Sequence, residues 1–580
     1  MNHHYFYFMK NLSRAFFLLA LLAACCQAPN KPLPSATLLL INGYFFTADS
    51  LRPEATAVAV AGDRILAVGS YEEMKKFADN KTEIMDLKGA FVMPGFIEGH
   101  GHFSSLGRSI QNLNLMGTTS WEAIVGLVNK KAKDTPPGDW IEGRGWHQEK
   151  WAVSPGRTVN GYPYHDLLSA AAPDNPVVLY HASGHSLFAN QMAMQLAGIS
   201  RETSDPLGGR IVRDMTGNLT GVFEENAMDL IEKPFSQWKQ RRPESERIAA
   251  FDKTVALAAQ ECLAKGITTF EDAGSDFWEL TQYRRLAEAG QLPIRLWVMA
   301  AQPRQSELAR LADFPQIGIG NGYFTCRAVK CYLDGALGSY GAWLLAPYAD
   351  KPDSYGQNTT PLDSVGAIAA ACQKYGLQCC VHAIGDRANR EVLHIFERTL
   401  HPSPSTPDTH RWRIEHAQHI DKQDISRFAK IGIIASMQAI HCTSDAPFVV
   451  KRLGVERART GAYAWRSLLD AGAHLANGTD APVEDVNPLP CIYAAITRRR
   501  SDTGLEFFTE QKMTREEALR SYSLWNAYAA FEENEKGSLL PGKYADFVVL
   551  SQNLLRCSPE DILKAEVLKT IVGGKVKFDR

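Results

Sequence analysis

Short apolar runs alternate with helical patterns along most of this chain, and this alternation limits the folds open to it more than any other feature. Eight such runs end near a polar or small residue: 91–98, 267–271, 294–299, 328–333, 378–381, 411–415, 433–437 and 474–476. Segments with helical periodicity separate many of them, for example 247–263 and 388–399. Strands that alternate with helices are typical of parallel sheets with helical crossovers. Eight units favour an α/β fold with a closed (β/α)8 barrel over an open, doubly wound sheet.

Both chain ends have a different pattern, that of short strands joined by turns. Residues 36–68 and 537–576 are rich in β-branched residues, and glycines mark turns within both segments. Strands at both termini suggest one small sheet structure assembled from the two ends. We therefore predict a β-sandwich domain made of residues 37–90 and 535–580, next to a barrel domain that spans residues 91–534.

A long segment, residues 103–247, is inserted between the first and second runs of the barrel pattern. It is rich in aromatic residues and has an apolar run of its own at 177–181. The C-terminal face of a barrel is where a lid or a substrate-binding insertion is expected. Two interpretations stand: a lid that contacts an apolar or aromatic substrate, or a structural elaboration without such contact.

Composition and charge describe a globular protein that does not bind nucleic acid. Hydrophobic residues make up 45% and charged residues 22% of the chain. Lys and Arg total 62 against 64 for Asp and Glu, so the net charge of -2 creates no field that attracts a polyanion. No glycine-rich phosphate loop follows the first run, which disfavours a dinucleotide cofactor. The expected partner is a small-molecule substrate, and the sequence is also compatible with a homo-oligomer.

The N-terminus has the pattern of an export signal. Lys10 and Arg14 precede the apolar run 15–24, which is followed by Cys25. Ten apolar residues are too few for a membrane-spanning helix, which needs about 20, but they suit a signal peptide. Residues 22–25 resemble the bacterial lipobox, in which the cysteine is lipidated. We expect a signal peptide at 1–24, a lipid anchor on Cys25 and a tether at 25–36. The protein would then lie at the periplasmic face of a bacterial membrane or at the cell surface. The alternative is ordinary cleavage of the signal peptide with Cys25 unmodified.

Two histidines, His100 and His102, stand at the end of the first barrel run. Side chains two residues apart on a strand face the same side, so both imidazoles are expected to point into the barrel mouth. Neutral imidazoles that converge on one point are typical metal ligands. The pair by itself is a weak signal, because two histidines at this spacing occur by chance; its position after a barrel strand makes it stronger.

The residues around this pair resemble those of a known family. The stretch that contains them is MPGFIEGHGH, and near the C-terminus stands GSLLPGKYADFVVL. Between them, in order, are VKCYLDGALGS, VHAIGDRANREVL, RIEHAQHI, ASMQAIHCTSD and GTDAPVEDVNPL. Together these motifs resemble the amidohydrolase superfamily, and within it the YtcJ-like branch (amidohydrolase family 3), which includes proteins similar to N-substituted formamide deformylase.

The resemblance implies a metal site with one or two divalent ions, and mainly imidazole and carboxylate ligands favour Zn2+. It implies that His382 and His416, at the ends of the fifth and sixth strands, join His100 and His102 as ligands, and that Asp480 is both a ligand and the general base. Lys330 on the fourth strand has two interpretations. In binuclear relatives a lysine there is carbamylated and bridges two metals, and burial favours the neutral amine that reacts with carbon dioxide; the alternative is an ordinary lysine paired with a carboxylate.

The implied function is hydrolysis of a carbon–nitrogen bond in an amide, a formamide or a cyclic amide. His382 and His416 are also candidates for steadying the oxyanion, and His185, Trp146 and His441 are predicted to contact the substrate. Other readings stay open, because one fold supports several chemistries. These are ester or lactone hydrolysis, isomerisation or decarboxylation on the same scaffold, and a non-catalytic surface lipoprotein with a binding or regulatory role.

Overall fold

The computed structural model describes residues 34–401 and 410–580. The signal peptide predicted at 1–24, the lipidation site Cys25 and most of the tether at 25–36 therefore lie outside the described residues. Within the two described ranges, no helix is both long enough and apolar enough to cross a membrane.

Eight parallel strands form the central sheet, and each pairs with the next along the chain. They are β1 (Phe96–Gly101), β2 (Ile267–Ser275), β3 (Arg295–Ala301), β4 (Phe324–Tyr332), β5 (Gln378–Ala383), β6 (Arg413–His416), β7 (Ile434–Met437) and β8 (Leu475–Asn477). Seven of the predicted runs coincide with β2 to β8, apart from shifts at the ends, and the first run overlaps β1 only in its last residues. The predicted α/β barrel is thereby confirmed.

Helices cover the outside of this sheet. The one that precedes β2, Glu244–Ala264, buries Phe251, Val255, Ala258 and Cys262, which recur three or four residues apart on one face. The other helices between or after the barrel strands are Phe277–Glu288, Leu362–Tyr375, Asp386–Leu400, Ile425–Ile431, Ala439–Leu453, Val455–Gly461, Trp465–Asp470, Pro488–Thr497, Arg515–Ser521 and Leu524–Ala529. The helical periodicity seen in the sequence follows from this packing of one face on the sheet.

The barrel closes between β8 and β1 through a side chain. Nδ2 of Asn526 donates to the carbonyl oxygens of Ile97, at 2.7 Å, and Asn477, at 2.8 Å, while its Oδ1 accepts from the Asn477 amide at 2.9 Å. Just beyond the strands, the amide of Asp480 donates to the carbonyl of His100 at 2.7 Å. The junction of β8 and β1, called the barrel seam below, therefore both closes the barrel and positions Asp480.

Asn526→Ala is expected to lower the free energy of unfolding by about 3 kcal/mol, because three hydrogen bonds are lost and buried backbone groups are left without partners. Urea unfolding followed by circular dichroism measures the change. Asn80→Ala, at an exposed turn, is the control and should leave the midpoint unchanged. Equal midpoints for Asn526→Ala and the wild type would show that the seam is held by other contacts.

The first predicted run, 91–98, is two strands in the structure, which corrects the sequence interpretation. Phe91–Pro94 pairs with Phe547–Leu550 in a sheet of the terminal domain, and β1 begins at Phe96. The break is at Gly95, where a Cβ would lie 2.2 Å from the Thr268 side chain. An unbroken apolar run therefore passes directly from one domain into the other.

Two sheets built from both chain ends pack as a sandwich. One contains Leu38–Ile41, Ala57–Ala61, Arg64–Gly69 and Glu83–Asp86. The other contains Tyr44–Phe46, Glu54–Ala55, Phe91–Pro94, Phe547–Leu550, Val567–Val572 and Lys575–Asp579. Leu40 and Val58 from the first sheet share a buried apolar cluster with Phe547 and Ile571 from the second.

The insertion is a domain with a sheet of its own. Its six strands are Leu113–Asn114, Ile141–Trp146, Val177–His181, Ser186–Ala189, Gly209–Arg213 and Leu219–Glu225. Its helices are Phe103–Gln111, Trp121–Lys133, Asp166–Ala171, Gln191–Leu196 and Asp229–Gln240. Separate apolar clusters, one around Trp121 and one around Phe223, give it a core independent of the barrel. The sequence indicated only the strand at 177–181.

Candidate metal centre

The residues predicted to carry the chemistry meet at the C-terminal ends of the barrel strands. His100 ends β1, Lys330 lies on β4, His382 on β5 and His416 at the end of β6, and Asp480 follows β8. All five are buried, while His102, just beyond β1, is partly exposed. Parallel strands point their carboxyl ends to one face of a barrel, so residues far apart in sequence come together there.

Asp480 lies among three imidazoles. Its Oδ1 is 3.2 Å from Nε2 of His102 and 3.6 Å from Nε2 of His100, and its Oδ2 is 4.0 Å from Nε2 of His441. Ligand atoms of His100, His416 and Asp480 all lie within 4.8 Å of one another. An ion with bonds of about 2.0–2.2 Å to nitrogen and oxygen fits among atoms spaced in this way.

A second pair of rings continues the cluster. The ring centroid of His416 is 4.9 Å from that of His100 and 4.5 Å from that of His382. Nε2 of His100, Nε2 of His382 and Nζ of Lys330 are buried and have no hydrogen-bond partner among the described residues. Buried polar atoms without partners are costly and rare, so three at one place indicate a site made for a ligand. Nitrogen and carboxylate donors of this kind suit a divalent cation.

Burial controls the charge of these groups. It lowers the pKa of His100 to about 4 and holds the pKa values of His382 and His416 well below the usual range. All three are therefore neutral imidazoles at neutral pH, the form that ligates metals. Burial alone would raise the pKa of Asp480, but the hydrogen bond from His102 and the nearby imidazoles hold it well below its usual range, so Asp480 is a carboxylate.

Two of the site residues have an unusual backbone. His416 has φ of 73° and Asp480 has φ of 60°, in the left-handed region that non-glycine residues rarely adopt. Such conformations store strain and are concentrated at functional sites. At His416 the turn also breaks the strand alternation, so that Glu415 and His416, although consecutive, both face the barrel interior.

Polar partners behind the imidazoles orient them. Nδ1 of His100 donates to the carboxylate of Glu415, which leaves Nε2 facing the centre. Glu415 is in turn paired with Arg413 at 2.7 Å, and Arg413 with Glu271 at 2.6 Å. Burial alone would raise the pKa of Glu415, but Arg413 and His100 hold this pKa well below its usual range. A carboxylate behind a histidine fixes its tautomer and makes it a better ligand.

Sequence reasoning missed three of the supporting residues: Arg413, Glu415 and Gln438. Glu415 and Arg413 stand inside the quoted RIEHAQHI motif, and charged residues in a buried strand were the available signal. No signal in the sequence pointed to Gln438. Its Oε1 lies 2.7 Å from Nδ1 of His416 and orients that ring. Glu98 accepts a hydrogen bond from the Thr479 amide at 2.5 Å, so it supports the segment that carries Asp480.

A cavity of about 1630 Å³ opens above the cluster, between the barrel and the insertion. Lys330, His382 and Asp480 line it from the barrel, and Arg144 and His185 line it from the insertion. The insertion therefore forms part of the cavity wall, at the face of the barrel where a lid was predicted.

His185 reaches the cluster from the insertion. Its ring centroid lies 5.4 Å from that of His382, and its Nδ1 is 2.9 Å from Oε2 of Glu225. Burial alone would lower the pKa of His185, but the Glu225 carboxylate outweighs this effect and raises the pKa. A cavity of this size, with polar groups converging at its base, is typical of a substrate site.

Trp146 does not lie where the sequence interpretation placed it. The structure buries it in the core of the insertion, where its indole N–H donates to the Leu179 carbonyl at 2.8 Å and its ring meets Tyr162 edge-on. It is absent from the cavity wall, so the predicted substrate contact is corrected. His441 is beside Asp480, as given above. Asp272 caps the helix that follows His102 by accepting the Phe103 amide at 3.0 Å.

Comparison with known proteins agrees with this geometry. The model of the amidohydrolase family matches residues 83–578. YtcJ of Bacillus subtilis is 32% identical over 93% of this chain and 99% of its own length. N-substituted formamide deformylase of Arthrobacter pascens is 28% identical over 94% of this chain and 98% of its own length. The crystal structure of an uncharacterized metal-dependent hydrolase from Pyrococcus horikoshii is 25% identical, covers 90% of this chain and 99% of its own, and superposes with a TM-score of 0.72. A family match over most of the chain, on a barrel that brings the family's motifs together, shows that this chain belongs to the amidohydrolase family.

Proposed function

We propose that the protein is a metal-dependent hydrolase that cleaves a carbon–nitrogen bond in an amide, a formamide or a cyclic amide. The observation that supports this most is the convergence of buried histidine nitrogens and the Asp480 carboxylate at the barrel mouth, where polar atoms lack partners among the described residues. Two relatives support both parts of the proposal, since one is a metal-dependent hydrolase and the other is an N-substituted formamide deformylase.

The proposed metal ligands are four histidines and one aspartate: His100, His102, His382, His416 and Asp480. Mainly imidazole and carboxylate ligands favour zinc, and the set is large enough for one or two ions. A bound divalent ion supplies Lewis acidity, which polarises a carbonyl group and makes water more acidic.

Asp480 is the proposed general base, because it is an ionised carboxylate at the centre of the cluster. It accepts a proton from the attacking water, whose oxygen bonds to the carbonyl carbon, and it passes that proton to the nitrogen as the carbon–nitrogen bond breaks. Water is the only co-substrate, and the products are a carboxylic acid and an amine. His185 from the insertion, or His382 or His416, is placed to steady the negative charge on the carbonyl oxygen.

Lys330 is proposed to carry a carbamate that bridges two metal ions. Its amine would add to carbon dioxide with loss of a proton, and the buried Nζ has no hydrogen-bond partner among the described residues. The alternative is an unmodified amine. Elemental analysis distinguishes them: two ions per chain, falling in Lys330→Met, support the bridge, whereas one ion per chain in the wild type removes it.

The proposed reaction is tested with zinc-loaded protein and a panel of N-formyl, N-acetyl and cyclic amides, with release of amine or acid as the readout. Each amide is paired with the ester of the same acyl group. We expect hydrolysis of at least one amide class, with the amide favoured over its ester. Preference for the esters, or no turnover of any amide by metal-loaded protein, would overturn the assignment of a carbon–nitrogen bond.

Export and lipidation are proposed from the N-terminal sequence alone. In a bacterial host we expect the wild type in the membrane fraction and Cys25→Ser released from it, with the Cys26→Ser neighbour as control. Lipidation needs the cysteine at the cleavage site, so equal distribution of wild type and Cys25→Ser contradicts the anchor.

A further inference from the structure

We propose that Arg144 binds a carboxylate group of the substrate, so that the enzyme acts on amides that also carry a carboxylate. This inference rests on the proposed function, since it assigns the substrate class of the same cavity. Three features support it: where the guanidinium lies, its lack of an ion-pair partner among the described residues, and the pairing of Arg108 and Lys239 nearby.

The position of Arg144 links it to the metal centre. It stands on the insertion strand Ile141–Trp146, lines the cavity, and donates from Nη2 to the carbonyl oxygen of Ala182 at 3.2 Å. The guanidinium lies against Gly184, where a Cβ would be 3.3 Å from Nη2. Gly184 directly precedes His185, whose ring faces that of His382. The turn that holds Arg144 is therefore the turn that presents His185 to the reaction centre.

Arg144 lacks a carboxylate partner within 4.0 Å in the described parts of the chain, and its Nε is buried without a hydrogen bond. Burial lowers the pKa of its guanidinium, and the more distant carboxylates of Asp480 and Glu142 offset this only in part. Leaving a charge without a partner in a partly buried place is unfavourable, so this half-buried cation without an ion pair points to a ligand that supplies an acid.

Two other cations of the cavity wall, Arg108 and Lys239, are paired within the protein. Arg108 pairs with Glu279 at 3.1 Å, and Lys239 pairs with Glu142 at 3.1 Å. Burial would lower the pKa of Arg108, but the acids around it outweigh this effect and raise the pKa, in contrast to that of Arg144. Arg144, beside His185, therefore differs from Arg108 and Lys239 in that the described parts of the protein supply no ion-pair partner for its guanidinium.

A carboxylate is the anion that fits this site. The planar guanidinium binds a carboxylate through two parallel hydrogen bonds, and here Nε is still free to donate. Glu142, Glu232 and Asp480 also line the cavity and would repel a multiply charged group such as a phosphate. A substrate with one carboxylate can be held at Arg144 while its amide carbonyl lies over the metal-binding residues.

The test uses racemic N-formyl- and N-acetyl-phenylalanine, each as the free acid and as the uncharged carboxamide. In the wild type we expect kcat/KM for the acids to exceed that for the carboxamides by about 10-fold to 100-fold, the range for a hydrogen-bonded ion pair. Arg144→Gln should lose that preference, so that its kcat/KM falls about 10-fold to 100-fold further on the acids than on the carboxamides. Arg144→Lys keeps the charge without the planar fork and should fall between. Arg157→Gln, an exposed arginine of the same insertion, should match the wild type.

Equal turnover of acid and carboxamide by the wild type, or an equal loss on both in Arg144→Gln, would overturn the inference while the proposed hydrolysis stands. If neither form is hydrolysed, the proposed function fails on these compounds, and binding still decides the role of Arg144. Thermal stabilisation by N-acetyl-phenylalanine, absent with its carboxamide and absent in Arg144→Gln, supports it. No stabilisation of the wild type overturns it.

Discussion

Asp480→Asn is expected to lower kcat by about a thousandfold or more while metal content stays near that of the wild type. Asparagine keeps the size and an oxygen donor, but it cannot accept the proton of the attacking water, and removing a general base typically has an effect of this order. Turnover of the best amide, measured together with metal content, separates loss of the base from loss of the metal.

The matched control for this change is Asp485→Asn. Asp485 is exposed and follows Asp480 by five residues, and its Oδ1 accepts the Asn487 amide at 3.0 Å, a bond that asparagine can also make. It should keep full activity. Substantial activity in Asp480→Asn at normal metal content contradicts the role of Asp480 as the base.

Gly478→Ala is expected to reduce activity to below about 1% and to release metal, because the barrel seam has no room for a methyl group. A Cβ at this position would lie 2.5 Å from the amide nitrogen of His100 and 2.7 Å from its carbonyl oxygen, and these backbone atoms cannot rotate away. The separation of β8 and β1 would increase, and His100 and Asp480 would no longer face each other. Metal content and soluble yield measure the effect.

Gly366→Ala is the control for Gly478→Ala. Gly366 lies within the helix Leu362–Tyr375, and a Cβ there meets nothing within 4 Å. This change should leave activity intact and raise the free energy of unfolding by about 0.5–1 kcal/mol, since alanine favours a helix more than glycine does. If Gly478→Ala behaves like Gly366→Ala, the close approach of β1 and β8 does not limit the site.

The fold could be predicted because the barrel pattern is local and repeated. Each strand is a short apolar run and each helix has one buried face, so the pattern of eight is visible without any knowledge of contacts. The same logic placed His382, His416 and Asp480 at strand ends, since position along a parallel strand determines the face of the barrel. The resemblance then supplied their roles.

Other features depend on contacts that the sequence pattern does not reveal. The run 91–98 contains no polar break, so its division at Gly95 follows from the packing of Thr268. Glu415 was missed because strand alternation would place it on the face opposite to His416, whereas both side chains contact histidines of the site and His416 has a positive φ. Trp146 was misplaced because an aromatic residue in a lid suits a core as well as a pocket.

The proposed reaction requires a metal site, for which we propose five ligands: His100, His102, His382, His416 and Asp480. Elemental analysis of purified protein before and after chelation, with activity measured on the same samples, tests it most directly. We predict one or two divalent ions per chain, with metal and activity lost together on chelation and both recovered with zinc. Metal content should be lower in His382→Ala but not in the surface control His394→Ala. Full activity in metal-free protein, or equal metal content in His382→Ala and the wild type, would contradict it.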